Sequence, residues 1–328
     1  IDSCIECDAY LGVCQTYEVT QSEAFSPLGR LRAAKRVFQE KESSPEVEDS
    51  IYSCMECKRC NLECPQEIDI VEVIWRARVE LVKKGVGSLE RPNQEMGAIQ
   101  KVGNPLNGDP AKRWDWLPEE FPRKELDTLF YVGCLPCYLV PQAATSSYLL
   151  LKELGVDFMM LEDEGCCGIY FYDWGRLDLA REKFEENKER FRRLGIKRII
   201  TVCPGCQRCF ETLYPKLLGG QNDFEVLNLV QILPELLRKM VDTQEIKPSE
   251  RLEATYFDPC DLGRAGKGIY DEPREVLNLC GVNLVEMGEN REHALCCGAG
   301  GGIVTTFRKL SIDVGAGFLD KVKTDNIV

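Results

Sequence analysis

Histidine is nearly missing from this chain of 328 residues, with His293 as its one example. That scarcity argues against a haem held by histidine and against zinc enzymes built on several histidines. Long uncharged apolar runs are missing too, which excludes a spanning helix. The net charge is −13, and no basic stretch is long enough to track a phosphate backbone. Nucleic acid and direct binding to an anionic membrane are therefore not expected. The glycine-rich stretch Gly298–Gly302 lacks both the Lys-Ser/Thr of a P-loop and the G-x-G-x-x-G spacing, so it does not point to a nucleotide. No flavin-binding signature is visible, and any flavin would belong to a partner. The sequence opens at Ile1 rather than Met, compatible with a removed leader or a trimmed end.

What the chain has in abundance is cysteine, 18 in all. Secreted disulfide scaffolds are usually small and seldom spaced Cys-x-x-Cys. The spacings here are those of metal ligands, which require reduced thiols and hence a cytoplasmic setting, with any membrane association made through a partner. At 44% apolar content the chain is long enough for two or three domains, each with a core. Most of its acidic side chains form a solvated surface that could also orient the protein on a basic redox partner.

Residues 54–65 read Cys54-Met-Glu-Cys57-Lys-Arg-Cys60-Asn-Leu-Glu-Cys64-Pro65. This is the C-x2-C-x2-C-x3-C-P run of bacterial ferredoxins, in which three cysteines hold one cube and the fourth ligates another. A partner run lies at Cys4, Cys7 and Cys14, with Tyr10 in the third cysteine position and no proline after Cys14. By the crossed rule, Cys54, Cys57, Cys60 and Cys14 complete one [4Fe–4S] cluster. Cys4, Cys7 and Cys64 hold a second that is one ligand short. It could be a three-iron [3Fe–4S] cluster, a cube with Asp8 or Tyr10 as ligand, or a cube with one exchangeable iron. Ser26-Pro27 and Ser44-Pro45 signal helix starts, and residues 69–84 read as a helix ended by Gly85. The expectation is an α-helical ferredoxin domain over 1–85 and a linker over 86–125.

From residue 126 strands and helices alternate. Strands are expected at 128–132, 156–160 and 196–202, and helices at 141–154 and 175–194. Cys134 follows the first strand, Cys166-Cys167-Gly168 comes 32 positions after Cys134, and Cys203-Pro-Gly-Cys206 lies 36 beyond Cys167. Each group thus falls just past the carboxyl end of a strand, the rim where parallel sheets gather ligands. Roughly thirty residues per step is the length of one βαβ crossover. Five converging thiolates exceed what a cube or a zinc tetrahedron needs, and suggest a less usual iron–sulfur centre. The layout restarts with a strand at 254–258, Cys260, a helix at 273–279, a strand at 282–287, Cys296-Cys297-Gly298 and a helix at 305–322. Aligning Ile327-Val328 with Ile199-Ile200 would place the missing Cys-x-x-Cys a few residues past Val328, so either the sequence is truncated there or the second unit lacks two ligands. The fold class expected is α/β, with two repeated parallel-sheet, Rossmann-like units over 126–245 and 246–328.

Paired CCG units behind a helical two-cluster ferredoxin, with Asp258-Pro-Cys260-Asp-Leu-Gly-Arg264 and Cys296-Cys-Gly-Ala-Gly-Gly-Gly302, resemble the catalytic component of heterodisulfide reductase in its fused, D-type form. Similar layouts occur in iron–sulfur subunits of glycolate, lactate and glycerol-3-phosphate oxidoreductases. The resemblance implies that Cys134, Cys166, Cys167, Cys203 and Cys206 hold a non-cubane [4Fe–4S] cluster and that Cys260, Cys296 and Cys297 begin another. It further implies a small disulfide substrate and an electron-donor subunit, whether a flavoprotein, a membrane cytochrome b or a hydrogenase module. The first unit departs from the pattern in having Ile169-Tyr170 after its CCG. The alternative reading is an electron conduit for a flavin-dependent 2-hydroxy acid or glycerol-3-phosphate oxidoreductase; a third is a zinc-stabilised scaffold.

Lesser candidates complete the reading. Gly168, Gly298 and Gly300 would let the backbone approach a cluster or substrate closely. His293, three residues before Cys296, could donate a proton to a leaving thiolate. Arg264, Lys267 and Arg274 could meet an anionic substrate. Cys137 and Cys209 lie near the expected site, and Cys280 reads as a buried small hydrophobe.

Overall fold

The computed structural model describes residues 1–85, 90–242 and 252–328. The N-terminal module is helical, as the caps require. Ser26 Oγ accepts from Gly29 N at 3.0 Å and Pro27 occupies the first turn of helix Pro27–Lys35. Asp69 Oδ1 accepts from Glu72 N, also at 3.0 Å, to open helix Ile70–Lys83. Their apolar stripes, with Val47 and Ile51 of helix Pro45–Tyr52, meet inside the module.

Beyond it the chain is mixed α/β. Strands β1 (Thr128–Tyr131), β2 (Arg198–Thr201) and β3 (Glu225–Asn228) form a parallel sheet in that order, with Leu129 opposite Ile199 and Ile199 opposite Val226. On the free side of β1, the stretch expected as a strand at 156–160 contributes one bridge, Met159 to Leu129, and no more. β3 and the following helix Leu229–Asp242 were not anticipated from the alternation. The second sheet is smaller. β4 (Glu253–Ala254) and β5 (Asn283–Leu284) pair in parallel, and Thr255 bridges Ile327. The strands expected over 254–258 and 282–287 are thus two residues each. The expected helix 305–322 is divided into Ile303–Thr306 and Arg308–Leu319, and the charged helix expected at 175–194 runs from Leu177 to Arg193.

The stretch expected as a linker also folds. Residues Glu90–Val102 are helical, Trp116 is buried, and Arg113 pairs with buried Glu164. One apolar core joins the helical module to the first unit: Ile74, Ala77 and Leu81 share it with Phe171, Phe184 and Phe210. Trp75 stacks on Tyr172 with ring centres 4.5 Å apart and donates its indole N–H to the Tyr172 carbonyl at 2.8 Å. Among the described residues, no helix is long and apolar enough to cross a membrane.

Candidate metal centres and the cavity between them

The first cysteine sits where β1 ends. Gly133 takes a positive φ of 86° between the strand and helix Cys134–Tyr138, and a Cβ there would lie 3.1 Å from Cys206 Sγ. Glu164, fully buried, fixes this turn. Its carboxylate accepts from Val132 N at 3.0 Å and Gly133 N at 2.9 Å while pairing with buried Arg113. The adjacent pair Cys166-Cys167 is held through its carbonyls. Asn187 donates to Cys166 O at 3.1 Å and Tyr214 donates to Cys167 O at 2.9 Å. Cys203 closes β2, and helix Pro204–Arg208 carries Cys206.

The sulfurs of this unit form a connected series, Cys134 to Cys166 to Cys167 to Cys206 to Cys203, each hydrogen-bonded to the next. Donation of its S–H to Cys166 and burial together push the Cys134 thiol well above its ordinary range. Cys206 is raised likewise by Cys167, Cys203 and burial, and Cys167 reaches about 12. Among the described residues, no three Cys, His, Asp or Glu side chains close on one point as a single ion demands. The cysteines line spaces instead. Soft, buried thiols that resist ionisation alone are the donor set an iron–sulfur cluster satisfies, because its iron neutralises the thiolates.

The largest of these spaces lies between the two units, with a volume of about 310 Å³. Cys134, Cys166, Cys167, Cys203 and Cys206 line it from one side, and Cys260 and Cys297 from the other. Cys296 does not. It lines a separate pocket with Cys14, Cys54, Cys57 and Cys60, where its thiol is hydrogen-bonded to Cys57 and lies 3.3 Å from Met55 Sδ. That hydrogen bond, with Arg264 nearby, lowers Cys57 to about 5. Cys260 and Cys297 thus line the large space, while Cys296, hydrogen-bonded to both Cys57 and Cys297, stands between the two. The pocket holding Cys14, Cys54, Cys57 and Cys60 contains the crossed ligand set anticipated from the sequence. A further pocket brings together Cys4, Cys7 and Cys64, with Tyr10 and Cys60 in its wall. Asp8 does not line that pocket.

The glycine run approaches the ferredoxin loop. A Cβ on Gly300 would meet Met55 O at 2.3 Å, and one on Gly301 would meet Cys54 O at 2.4 Å. Gly298 has a φ of 86° and packs against Ser311 O, while Gly168, at 93°, packs on Lys183 and Phe184. These contacts place the second unit directly on the Cys54–Cys57 turn.

Other expectations change. His293 is 56% exposed, 3.8 Å from Glu63, and outside the lining of the large cavity, so it is not placed to protonate a leaving group there. Arg264 donates to the carbonyls of Cys57 and Ala294; Arg274 is paired with Asp258 and Glu286; Lys267 is exposed. None of the three lines the cavity. Cys137 is buried beside Arg113 and Trp116, Cys209 donates to Cys167 O at 3.5 Å, and Cys280 packs at the edge of the second core.

Sequence reasoning missed a buried ionic network. Arg78 is fully buried, binds Glu56 Oε1 at 2.8 Å, and donates to the carbonyls of Cys54, Asp173 and Gly301. Arg208 reaches Asp261 at 3.0 Å, Asp173 at 3.3 Å and Glu56 at 3.5 Å. Burial and neighbouring Glu56 push the Asp173 carboxyl well above the usual range. The one available signal was position: Glu56, Arg208 and Asp261 each lie within two residues of a candidate ligand.

Comparison with known proteins agrees with this geometry. Residues 128–211 and 254–327 match the CCG cysteine-rich domain, and residues 1–68 match a 4Fe–4S dicluster domain. The class so defined is an iron–sulfur oxidoreductase carrying [4Fe–4S] clusters, including non-cubane ones. The chain is 31% identical to the D-type subunit of the dihydromethanophenazine:CoB–CoM heterodisulfide reductase of Methanosarcina mazei, over 99% of this chain and 84% of that one. It is 27% identical to one subunit of the fumarate reductase (CoM/CoB) of Methanothermobacter marburgensis, over 99% and 65%. It is 31% identical to the EtfAB:quinone oxidoreductase of Syntrophomonas wolfei, over 77% and 37%. The chain belongs to the D-type heterodisulfide reductase family.

Proposed function

We propose that this chain reduces a disulfide in the cavity between its two cysteine-rich units. One observation carries the reading: seven cysteines from both units line a single space of about 310 Å³. Two electrons and two protons convert R–S–S–R′ into R–SH and R′–SH, so a substrate met by two thiolate-ligated centres can receive one electron on each sulfur. Iron–sulfur clusters supply one-electron transfer and an iron able to bind sulfur.

Cys134, Cys166, Cys167, Cys203 and Cys206 would hold the centre of the first unit, and Cys260 and Cys297, with Cys296 at the boundary, that of the second. Cys14, Cys54, Cys57 and Cys60 would hold the nearer cube, and Cys4, Cys7 and Cys64 the farther one. The repeated, Rossmann-like character of the two units is supported by the bridges Leu129–Ile199 and Thr255–Ile327, which stand equally far before Cys134 and Cys260. Electrons would enter from a donor protein (a flavoprotein, a membrane cytochrome b or a hydrogenase module), and any membrane association would run through it. Cys296, touching Cys57, makes the second unit the nearer acceptor.

The test is anaerobic turnover of the cluster-loaded chain with reduced benzyl viologen and a small disulfide. Oxidation of the dye that depends on the disulfide and yields two thiols is expected. No turnover over a panel of disulfides, with the clusters shown to be reduced, would reject the proposal in favour of a conduit.

A further inference from the structure

The two ferredoxin loops share a turn and differ in one ligand. Glu6, between Cys4 and Cys7, takes a left-handed φ of 53°, and Glu56, between Cys54 and Cys57, takes 54°. Residues other than glycine seldom adopt that conformation, so its recurrence marks both Cys-x-x-Cys turns as loops of one build. Ile68 N–H points at Cys64 Sγ from 3.4 Å, a donor that suits a thiolate. Cys4, Cys7 and Cys64 line one pocket, so the cradle fits a cluster. Three residues after Cys57 stands Cys60, but three residues after Cys7 stands Tyr10. A cube tied down at every iron needs four thiolates. Cys60 also reaches this wall, yet it belongs to the second loop and lines the pocket of Cys14, Cys54 and Cys57 as well.

Among the described residues of that wall, Tyr10 and Glu63 carry side-chain oxygen. A cysteine at position 10 would set its sulfur one bond beyond Cβ, whereas the tyrosine oxygen lies beyond a whole ring. That oxygen is hydrogen-bonded with fully buried Ser26, and the ring stands edge-on to Tyr17 with centres 5.7 Å apart. The Glu63 side chain is 38% exposed and its carboxylate lies 3.8 Å from His293. Carboxylate is a harder donor than thiolate and a poorer match to iron in a sulfide cluster. The loop also lies open to solvent, with Glu6, Asp8, Ala9 and Leu11 exposed around Cys7 and Tyr10.

Resting on the assignment of Cys4, Cys7 and Cys64 to the farther cube, we infer that its remaining iron, the one facing position 10, has no thiolate and exchanges with solution. Its coordination is completed by a small donor such as water, hydroxide or an added thiol. Exchange is tied to oxidation. The cube gives one electron to the oxidant and one ferrous ion to solution, leaving a [3Fe–4S] cluster whose irons stay on Cys4, Cys7 and Cys64. One electron and one ferrous ion restore it. The neighbouring site, with Cys14, Cys54, Cys57 and Cys60, has a thiolate for every iron and does not share this behaviour.

The experiment treats the anaerobic, cluster-loaded full chain with a slight excess of ferricyanide in the presence of EDTA. Protein-bound iron and low-temperature EPR are read before and after. The unaltered chain is expected to lose about one iron and to gain the EPR signal of an oxidised three-iron cluster. Ferrous ion with dithionite should restore the iron and remove the signal. Tyr10→Cys supplies the missing thiolate and should keep the iron, whereas Tyr10→Phe and Glu63→Gln should lose it as the unaltered chain does. Iron retained by the unaltered chain overturns the inference. So does a Tyr10→Cys chain that loads the same iron and still releases it, or a change in release on removing either oxygen, which would make that oxygen the ligand. Cys64→Ser keeps the test decisive if Tyr10→Cys does not fold: it should lose the three-iron signal, and a signal that persists belongs to another cluster and overturns the inference. Persistence of both ferredoxin-type signals in reduced Cys64→Ser rejects the ligand assignment itself, and the inference with it. Disulfide turnover is read separately with reduced benzyl viologen, so the proposed function stands or falls on its own.

Discussion

Replacing Arg78 by methionine removes a side chain that touches all three parts of the molecule. Its guanidinium lies on Glu56 and Cys54 O of the ferredoxin turn, Asp173 O of the first unit and Gly301 O of the second, with no exposed surface of its own. Methionine keeps much of the volume and loses every polar contact. The dominant cost is the Glu56 carboxylate left behind in a buried site, about 3–5 kcal/mol when a buried pair loses one partner. Arg208, 3.5 Å from the other Glu56 oxygen, offsets part of this, so the lower end of that range is expected. Against a total stability of about 5–15 kcal/mol for a domain, such a loss is large. Anaerobic urea denaturation followed by tryptophan fluorescence should show the midpoint fall, and bound iron should fall as the Cys54–Cys57 turn loosens. Adding Glu56→Gln to the variant removes the stranded charge and should restore part of the stability. A change below about 1 kcal/mol in the single variant, with iron content intact, would show that the network is incidental to the docking of the three parts.

Four further outcomes are expected. Cys14→Ser should abolish the low-temperature EPR signal of one ferredoxin-type cluster while Cys64→Ser abolishes the other; loss of the same signal in both would refute crossed ligation. Arg30, 2% exposed, directs its N–H groups at carbonyls, hydroxyls and Cys14 Sγ, 3.7 Å away. A positive charge so placed favours the reduced cluster, so Arg30→Met should lower the midpoint of that EPR signal, about 59 mV for each tenfold change in a one-electron equilibrium. An unmoved midpoint would assign Arg30 to packing alone. Gly301→Ala, at φ 61° and with a Cβ 2.4 Å from Cys54 O, should prise the second unit from the ferredoxin turn and slow reduction of the cavity centres in stopped-flow mixing. His293→Gln should leave turnover and its pH profile unchanged, since the ring is exposed and outside the cavity lining.

The grouping of the cysteines was the most legible part of the sequence, because short fixed spacings hold them on the same turns. The crossed set of Cys14 with Cys54, Cys57 and Cys60 lines one pocket, and β1 and β2 deliver Cys134 and Cys203 as their apolar runs predicted. Cys296 keeps its hydrogen bond to Cys297 and also reaches Cys57, a contact between distant segments that spacing alone does not show. The strand expected at 156–160 shrinks to one bridge at Met159, since apolar residues at a sheet margin satisfy packing without extended pairing. β3 is four residues long, Glu225–Asn228, and runs straight into helix Leu229–Asp242, so its apolar pair merges with the helical run in the sequence. The ionic network left no trace in local pattern. Glu56, Arg78, Asp173, Arg208 and Asp261 are scattered along the chain, and charged residues read as solvated surface until a fold buries them.

The apolar interior shared by the helical module and the first unit has a practical consequence. A fragment ending at residue 85 would bare Trp75, Ile74 and Leu81 along the flank that Tyr172 and Phe171 now cover. The electron-delivering part of this protein is thus no detachable adaptor. Transplanting it onto another oxidoreductase would require carrying over that aromatic flank as well as the cysteines.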